Sequence, residues 1–470
     1  MNTIWHPLLP DDAGPKYLAL ARLLREAIRA GDLPCGSKLP TVRDLAWRIS
    51  VTPGTVSRAY QIVTQEGLLE ATVGRGTFVA ALSPRLGPRR DGRNPLIAER
   101  DLRNSPDLLD LRSPHVPEVG QGEVFAEALR RMADQTAAGW LDYPTQMGER
   151  DLRQMVCDWL GDRVLGGFNG QDIVLTNGGQ NGVGLILSCC LRGDRPVVLT
   201  EDLSYPGFRY AARLARAEVV GIEMDAEGIL PDALDAACRK HGAQVLCVTP
   251  ETQNPTTARM GAARRADIVA VARRHDLQII EDECYQLPDS DSPALRALAP
   301  ERVWYLGSLS KSISAALRLG YIVCPTGMGE IGRIAAQHGY FGLSRPVTQL
   351  ATDLFATGAA QIIRDRVRAD YVRRVELVVN RLGAYDLGWQ AGMPFVWLRM
   401  PQGWRASTFA RMAEEAGVLL RSADQYAMSS GRVPNAVRIA VAGHVPLDRL
   451  TDGIEALAQL LANPPTDLAV

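Results

Sequence analysis

The sequence predicts an α/β protein in three blocks: a helix-rich head ending in a strand pair, a Pro-rich linker, and a large body on a mostly parallel sheet. Three observations carry this. Helical periodicity over residues 15–80 gives way to a basic hairpin around Gly74-Arg75-Gly76. Residues 81–112 lose periodicity and carry Pro84, Pro88, Pro95 and Pro106 among Arg85, Arg89, Arg90 and Arg93, a linker composition. From about 113 onward, short apolar runs alternate with helical stretches, the pattern of a buried parallel sheet.

The chain has 470 residues, 46% hydrophobic and 22% charged, which is ordinary globular composition with room for two to four domains. A net charge of −1 excludes a protein that is basic all over, so a basic surface must be local. The eight cysteines form no C-x-x-C pair, and several sit in apolar runs such as Val245-Leu246-Cys247-Val248. They read as buried free thiols in a reducing compartment, with no metal site. No apolar run reaches the roughly 18 residues of a membrane span. The start, Met1-Asn2-Thr3-Ile4-Trp5, does not read as a signal peptide. The expected location is the cytoplasm, away from any membrane.

In the head, Tyr17–Ala30 reads as an amphipathic helix stopped by Gly31. Thr41 suits the N-cap of a short helix to Ile49. Thr52 caps a second helix, with Pro53 at its first position. Two helices joined by a tight turn make a helix-turn-helix. The segments Gly67-Leu68-Leu69-Glu70 and Thr77-Phe78-Val79 make the wing hairpin. Nine basic and five acidic residues over 15–80 leave +4, a modest phosphate-binding bias. By charge alone, a small protein-binding module fits nearly as well.

In the body, strands are expected at 173–176, 196–199, 219–222, 245–248, 277–280 and 303–306. A long helix over Ile362–Leu382 opens a smaller α+β region, from about 360, with strands near Phe395–Met400 and Val437–Val441.

Chemistry-bearing residues stand at the ends of these strands. Lys311, in Gly307-Ser308-Leu309-Ser310-Lys311, suits imine chemistry if its pocket lowers its pKa; alone, it reads as a surface lysine. Arg318 could clamp a phosphate bidentately or lie on the surface. Glu281-Asp282-Glu283-Cys284-Tyr285 places acids at a strand's carboxyl edge, where α/β sites form. Asp282 could hold a protonated ring nitrogen, with Tyr285 near a ring hydroxyl. Gly178-Gly179-Gln180 opens a helix whose N-terminus suits a phosphate. Tyr205 could stack on a ring or sit in the core. Asn254-Pro255 reads equally as a turn.

The head resembles the GntR family of winged-helix regulators. The resemblance rests on Gly36-x-x-Leu39-Pro40-x-x-Arg43-x-Leu45-Ala46, Val51-Thr52-x-x-Thr55-Val56-x-x-Ala59-Tyr60, Glu66-Gly67-Leu68 and Gly74-Arg75-Gly76-Thr77-Phe78-Val79. It implies that Thr41, Arg43, Thr52, Thr55, Ser57, Arg58 and the wing residues Gly74 and Arg75 face operator DNA. Pro53 and Ser57 stand where many relatives carry arginine.

From about 113 to 465, the order of motifs resembles fold-type I pyridoxal-phosphate enzymes, the class I/II aminotransferases. That implies pyridoxal 5'-phosphate as cofactor, with Lys311 as the Schiff-base lysine. Ser308, Ser310, Arg318, Gly179 and Gln180 would then lie on the phosphate, Asp282 on the ring nitrogen, Tyr285 and Asn254 on the ring hydroxyl, and Tyr205 on the ring face. Tyr143, in Tyr143-Pro144-x-x-x-Gly148, resembles a tyrosine that reaches the partner subunit's phosphate. Arg438 resembles the arginine that holds a substrate carboxylate; its alternative is an ion pair with Asp424 or Glu415. Gly179 replaces a more usual serine, and Thr257 a glycine.

Head and body together resemble the MocR subfamily of bacterial regulators. This implies a winged head over 1–80, a linker over 81–112, and an effector and dimerisation body over 113–470, assembled as a head-to-tail homodimer. The implied function is regulation of transcription by aldimine exchange at Lys311 with an amino compound, or by a pyridoxal vitamer. The alternative is a working aminotransferase that carries a DNA-binding head.

Overall fold

Two units divide the chain, residues 1–101 and 102–470, and each is described by itself. The structure, a computed structural model, describes residues 15–30, 32–34, 36–65, 68–72, 76–79, 108–134, 141–285, 292–428 and 433–464, with Trp5, Pro7 and Leu287.

The head contains helices α1 (Lys16–Ala30), α2 (Val42–Arg48) and α3 (Pro53–Gln65), then strands β1 (Leu69–Thr72) and β2 (Gly76–Val79). Thr41 caps α2 from an extended backbone, its Oγ1 accepting the Asp44 N–H at 3.2 Å. Thr52 does the same before α3, accepting the Thr55 N–H at 3.3 Å. Each cap satisfies one orphan donor of a helix start. β1 and β2 pair antiparallel, Leu69 opposite Val79. Leu20, Leu24, Leu45, Val56 and Val63 form the core, and the Tyr60 hydroxyl donates to the Pro40 carbonyl at 2.9 Å, fixing the turn that leads into α2. The wing tip residues Gly74 and Arg75, with Gly31, Glu66 and Gly67, lie outside the described residues, as do linker residues 81–107.

The body begins earlier than expected. Leu109–Asp110 is already a strand, β3, and Leu111 is fully buried. The apolar pair Leu109 and Leu111 outweighs the proline-rich composition that precedes it, so residues 109–112 are body rather than linker.

After α4 (Gln121–Asp134) and α5 (Arg150–Trp159) come β4 (Ile173–Thr176), α6 (Gly179–Cys190), β5 (Val197–Glu201), α7 (Pro206–Leu214) and β6 (Glu218–Ile222). Then follow α8 (Pro231–His241), β7 (Val245–Val248), α9 (Ala262–Arg274), β8 (Gln278–Asp282), α10 (Leu295–Leu298), β9 (Val303–Ser308) and β10 (Gly320–Val323). These strands form one seven-stranded sheet in the order β4-β10-β9-β8-β7-β5-β6. All run parallel except β10, which is antiparallel to β9 and β4. The apolar runs predicted six of the seven. β10 was not anticipated, because Gly320-Tyr321-Ile322-Val323 follows Lys311 too closely for a crossover helix; an antiparallel return needs none.

Helices α11 (Gly329–Tyr340), α12 (Arg345–Ala356) and α13 (Ala359–Leu382) lead to the smaller region. There β11 (Leu387–Gly388), β12 (Phe395–Arg399), α14 (Ala406–Glu415), β13 (Val418–Leu419), β14 (Arg421–Ser422), β15 (Ala436–Ala440) and α15 (Leu447–Ala462) follow. Strands β11-β12-β15-β14 make an antiparallel sheet, and β3 pairs parallel with β13. The seven described cysteines are free thiols. Among the described residues, no helix is long and apolar enough to cross a membrane.

Candidate functional site

The carboxyl edge of the seven-stranded sheet collects most of the residues singled out in the sequence. At the end of β4 the chain turns through Asn177-Gly178 into α6. Gly178 has φ 80, and a Cβ there would stand 2.6 Å from Arg318 Nη2, so the turn requires glycine. Arg318 itself adopts the left-handed conformation, φ 50 and ψ 38. That strained backbone folds its guanidinium back over the turn, where Nη2 donates to the Asn177 carbonyl at 2.9 Å. The unanticipated strand β10 is what brings it there: Gly320 lies opposite both Ser308 and Thr176.

Ser308 Oγ lies 3.0 Å from Ser310 Oγ and accepts the Ser310 N–H at 3.1 Å. Two hydroxyls, a guanidinium and the start of α6 thus border one edge, the components of an anion cradle. Gly179 opens α6, and a Cβ there would stand 3.0 Å from Cys284 Sγ. Gln180 ties α6 to α7, donating from Nε2 to the Gly207 carbonyl at 2.9 Å, while its Oε1 is buried without a partner.

Lys311 is half-buried in the turn after β9, and its Nζ donates to the Pro114 carbonyl at 2.8 Å. Asp282 ends the neighbouring strand, its Oδ1 accepting the Cys284 N–H at 3.1 Å. Burial raises the Asp282 carboxyl pKa against the pull of Cys284. Tyr205 precedes α7. Its phenol is pushed up to about 12, chiefly by burial and further by Asp282 and Cys284, while Arg318 and Arg438 pull it down.

Tyr285 packs edge-on against Phe395 at 5.4 Å; burial raises its phenol pKa and Arg438 lowers it. Asn254 is buried, and its Oδ1 accepts from Arg438 Nη1 at 2.7 Å. Arg438 is only 4% exposed. Its Nη2 donates to the Arg112 carbonyl at 2.6 Å, and its guanidinium lies 4.9 Å from the ring centres of Phe395 and Tyr426. Its Nε has no hydrogen-bond partner. No carboxylate forms an ion pair with Arg438 among the described residues. The ion pair considered above is not made: Asp424 takes the Ser422 hydroxyl and Glu415 pairs with Arg411.

Tyr143 stands apart from this group. It is exposed, stacked on Phe341 at 5.3 Å, and lines a cleft of about 470 Å³ with Met132, Glu149, Arg345 and Asp353. The sequence reading missed Arg112 and Pro114, whose carbonyls receive Arg438 and Lys311. Backbone acceptors leave no residue-type signal. The sequence reading also gave no role to Cys284, although it lies inside the motif that marked Asp282.

In the head, Arg43 and Thr52 are exposed and Thr55 and Ser57 half-buried. Arg58 lies over the Tyr17 ring at 4.2 Å, a cation–π contact within the head.

The fold and these residues define a two-part protein, and comparison with known families agrees. Residues 107–457 match the model "Aminotransferase class I and II", and residues 16–79 match "Bacterial regulatory proteins, gntR family". The chain belongs to the class I and II aminotransferase family and carries a gntR-family DNA-binding head, the layout of MocR-type transcriptional regulators. It is similar to the HTH-type pyridoxine biosynthesis transcriptional regulator PdxR of Corynebacterium glutamicum, 30% identical over 77% of this chain and 78% of that one. It is also similar to the HTH-type transcriptional regulator YdeF of Bacillus subtilis, 29% identical over 97% and 96%. Among solved structures, the kynurenine aminotransferase of Pyrococcus horikoshii, in complex with PMP, shares the body fold. It has a TM-score of 0.69 and 22% identity over 80% of this chain and 97% of that one.

Proposed function

We propose that the protein is a pyridoxal-phosphate-dependent regulator that senses an amino compound, or a pyridoxal vitamer, at the Lys311 site and changes its grip on operator DNA. The residues fit the cofactor. Gly178 leaves room for Arg318, and the hydroxyls of Ser308 and Ser310 with the start of α6 would hold its phosphate. Asp282 would face the ring nitrogen, Tyr285 and Asn254 the ring hydroxyl, and Tyr205 the ring. When bound, pyridoxal phosphate supplies a carbonyl carbon that condenses with primary amines. Lys311 is the amine this chain offers. An amino compound would replace it, and Arg438 would orient that compound by its acid group.

The observation that carries the reading is Arg438: a buried guanidinium, with a carboxylate partner absent among the described residues, next to residues suited to the cofactor. Burying a charge without a counter-charge costs stability, and an arriving acid would offset that cost. The domain reading goes with it: a DNA-reading head over 1–80, a linker after it, and a body that assembles as a head-to-tail homodimer in the cytoplasm. The exposed Tyr143 on its cleft supports a partner that covers it.

The second reading, an active aminotransferase with a DNA-binding head, draws on the same residues. One experiment separates the two: titrate purified protein with amino acids, recording the cofactor spectrum, 2-oxo acid formation and operator affinity together. Sensing predicts a spectral change coupled to operator affinity. Turnover with 2-oxo acids at about 1 per second or faster, without that coupling, would favour the enzyme.

A further inference from the structure

The two side chains that do the chemistry in the proposed function grip the same short piece of backbone. Arg438 Nη2 donates to the Arg112 carbonyl at 2.6 Å, and Lys311 Nζ to the Pro114 carbonyl at 2.8 Å. The residues on either side are held differently. Upstream, the Leu109 and Leu111 N–H groups donate to the Gly417 and Leu419 carbonyls, and the Ala440 N–H donates to the Leu111 carbonyl. The Arg112 guanidinium holds Asp110 through Nε and Nη2, both at 2.9 Å. Downstream, the Gly443 N–H donates to the His115 carbonyl at 3.1 Å, and Gln121 holds the Pro117 carbonyl. In sequence, this segment follows β3, and β3 follows the linker to the DNA-reading head.

We propose that Arg112–Pro114 is a strap whose two grips alternate with the ligand state of the site, so that effector binding is reported to the linker. The proposal rests on the sensing reading above. The exchange balances in atoms. The Lys311 amine forms a C=N bond with the cofactor's aldehyde carbon, and the aldehyde oxygen leaves as water with two of the nitrogen's hydrogens. The neutral imine nitrogen has no hydrogen left for the Pro114 carbonyl, and a protonated one keeps a single hydrogen in place of the ammonium's three. When an amino effector takes that carbon, its own two amine hydrogens pass to Nζ, and Lys311 can bond Pro114 again. Meanwhile the effector's acid meets Arg438. The side-on edge of that guanidinium is Nε and Nη2: Nε is free of partners, and Nη2 holds Arg112. A carboxylate is the stronger acceptor, roughly twice a neutral carbonyl, so it draws Nη2 away from Arg112. Cofactor alone therefore keeps the Arg112 grip and loosens the Pro114 grip; cofactor with an acidic effector does the reverse. The grips lie two residues apart, which makes the strap a two-position element.

The test uses full-length protein loaded with pyridoxal phosphate and two probes. Aminooxyacetate and O-methylhydroxylamine both capture the cofactor carbonyl and release Lys311, but only the first carries a carboxylate. The cofactor spectrum and amide hydrogen exchange over 108–117 are recorded together. Both probes should shift the spectrum. Only aminooxyacetate should speed exchange in 108–117, by about tenfold, the size expected for one charge-assisted hydrogen bond. Arg438→Lys should abolish the difference between the probes. Spectral capture by both probes with identical exchange over 108–117 overturns the strap and leaves the sensing reading intact. If neither probe changes the spectrum, the sensing reading fails and the strap falls with it.

Discussion

Cys284 fills the space in front of Gly179: a Cβ on residue 179 would stand 3.0 Å from its sulfur. The family resemblance places a serine hydroxyl at 179, on the phosphate, and here a thiol from the Asp282 motif takes that room. The glycine at 179 and the thiol at 284 are one packing arrangement. Burial raises the thiol well above its usual pKa, which disfavours the nucleophilic thiolate.

Gly179→Ser should therefore weaken pyridoxal phosphate binding, about tenfold, since overpacking costs roughly 1–3 kcal/mol. Adding Cys284→Ala should reverse the loss, because the new hydroxyl then has room beside the phosphate. Cofactor titration by absorbance completes the double-mutant cycle. Additive effects would show that the two positions do not interact.

Lys311→Ala should lose the adduct that borohydride fixes to the protein, while free cofactor still quenches intrinsic fluorescence through the phosphate contacts. Arg318→Ala should keep the fixable lysine but need a higher cofactor concentration, about ten- to a hundredfold for a lost charge-assisted contact. Peptide mapping after reduction identifies the labelled lysine; a label on another lysine removes Lys311 from its role.

Much of this arrangement was legible in the sequence because strand ends and turns carry residue-type signals. The apolar runs that lead to Thr176, Val248, Asp282 and Ser308 placed four strand ends, and candidate site residues follow each of them. The caps Thr41 and Thr52 were legible because a hydroxyl before a helix start satisfies a fixed set of donors. What escaped was of two kinds. β10 follows β9 too closely to leave room for a crossover helix, yet it sets the place of Arg318. The grips on Arg112 and Pro114 are made to backbone carbonyls, which every residue possesses. The linker end was misplaced for a related reason: Leu109 and Leu111 alternate, but a two-residue strand is shorter than any pattern that composition resolves.

In the head, Arg43 is exposed on α2 beside the Thr41 cap. Arg43→Ala should weaken operator binding and lower the slope of log affinity against log salt by about one. Thr52→Ala should instead lower the head's melting temperature through the lost cap, about 1 kcal/mol. Fluorescence anisotropy at several salt concentrations separates the two. An Arg43→Ala protein with the wild-type slope does not contact a phosphate there.

Beneath the site, Glu201 is fully buried, and its pKa is pushed up to about 7 by burial, against hydrogen bonds from Gln253 and Thr249. The folded state then holds this proton more tightly than the unfolded chain, where the pKa is near 4.5. Stability falls as pH rises through the window between those values and levels off above it, a loss on the order of 3 kcal/mol. Glu283, raised to about 8, adds a loss of the same sign. Glu201→Gln should flatten the part of the melting profile between pH 5 and 7, as roughly bounded by these values. Parallel profiles for wild type and variant would show that Glu201 titrates alike in both states.

Arg438 should select an effector that carries an amine and an acid, and its removal should separate sensing from cofactor binding. Its Nε is unbonded, and its other two nitrogens reach neutral oxygens, Asn254 Oδ1 and the Arg112 carbonyl. A planar fork between Phe395 and Tyr426 suits a carboxylate or sulfonate, and a lysine would not reproduce its geometry. A charge-assisted bidentate contact contributes roughly 1.5–3 kcal/mol, so Arg438→Ala should weaken effector affinity about ten- to a hundredfold. The cofactor spectrum without effector should match wild type, because Lys311 and Arg318 are untouched. The measurement is an effector titration of the cofactor band alongside operator binding. Loss of the cofactor itself in Arg438→Ala would make the arginine a structural residue. Unchanged effector affinity would move the acid-binding role elsewhere in the site, with Arg421 first in line, since it lies directly opposite Arg438 across β14 and β15.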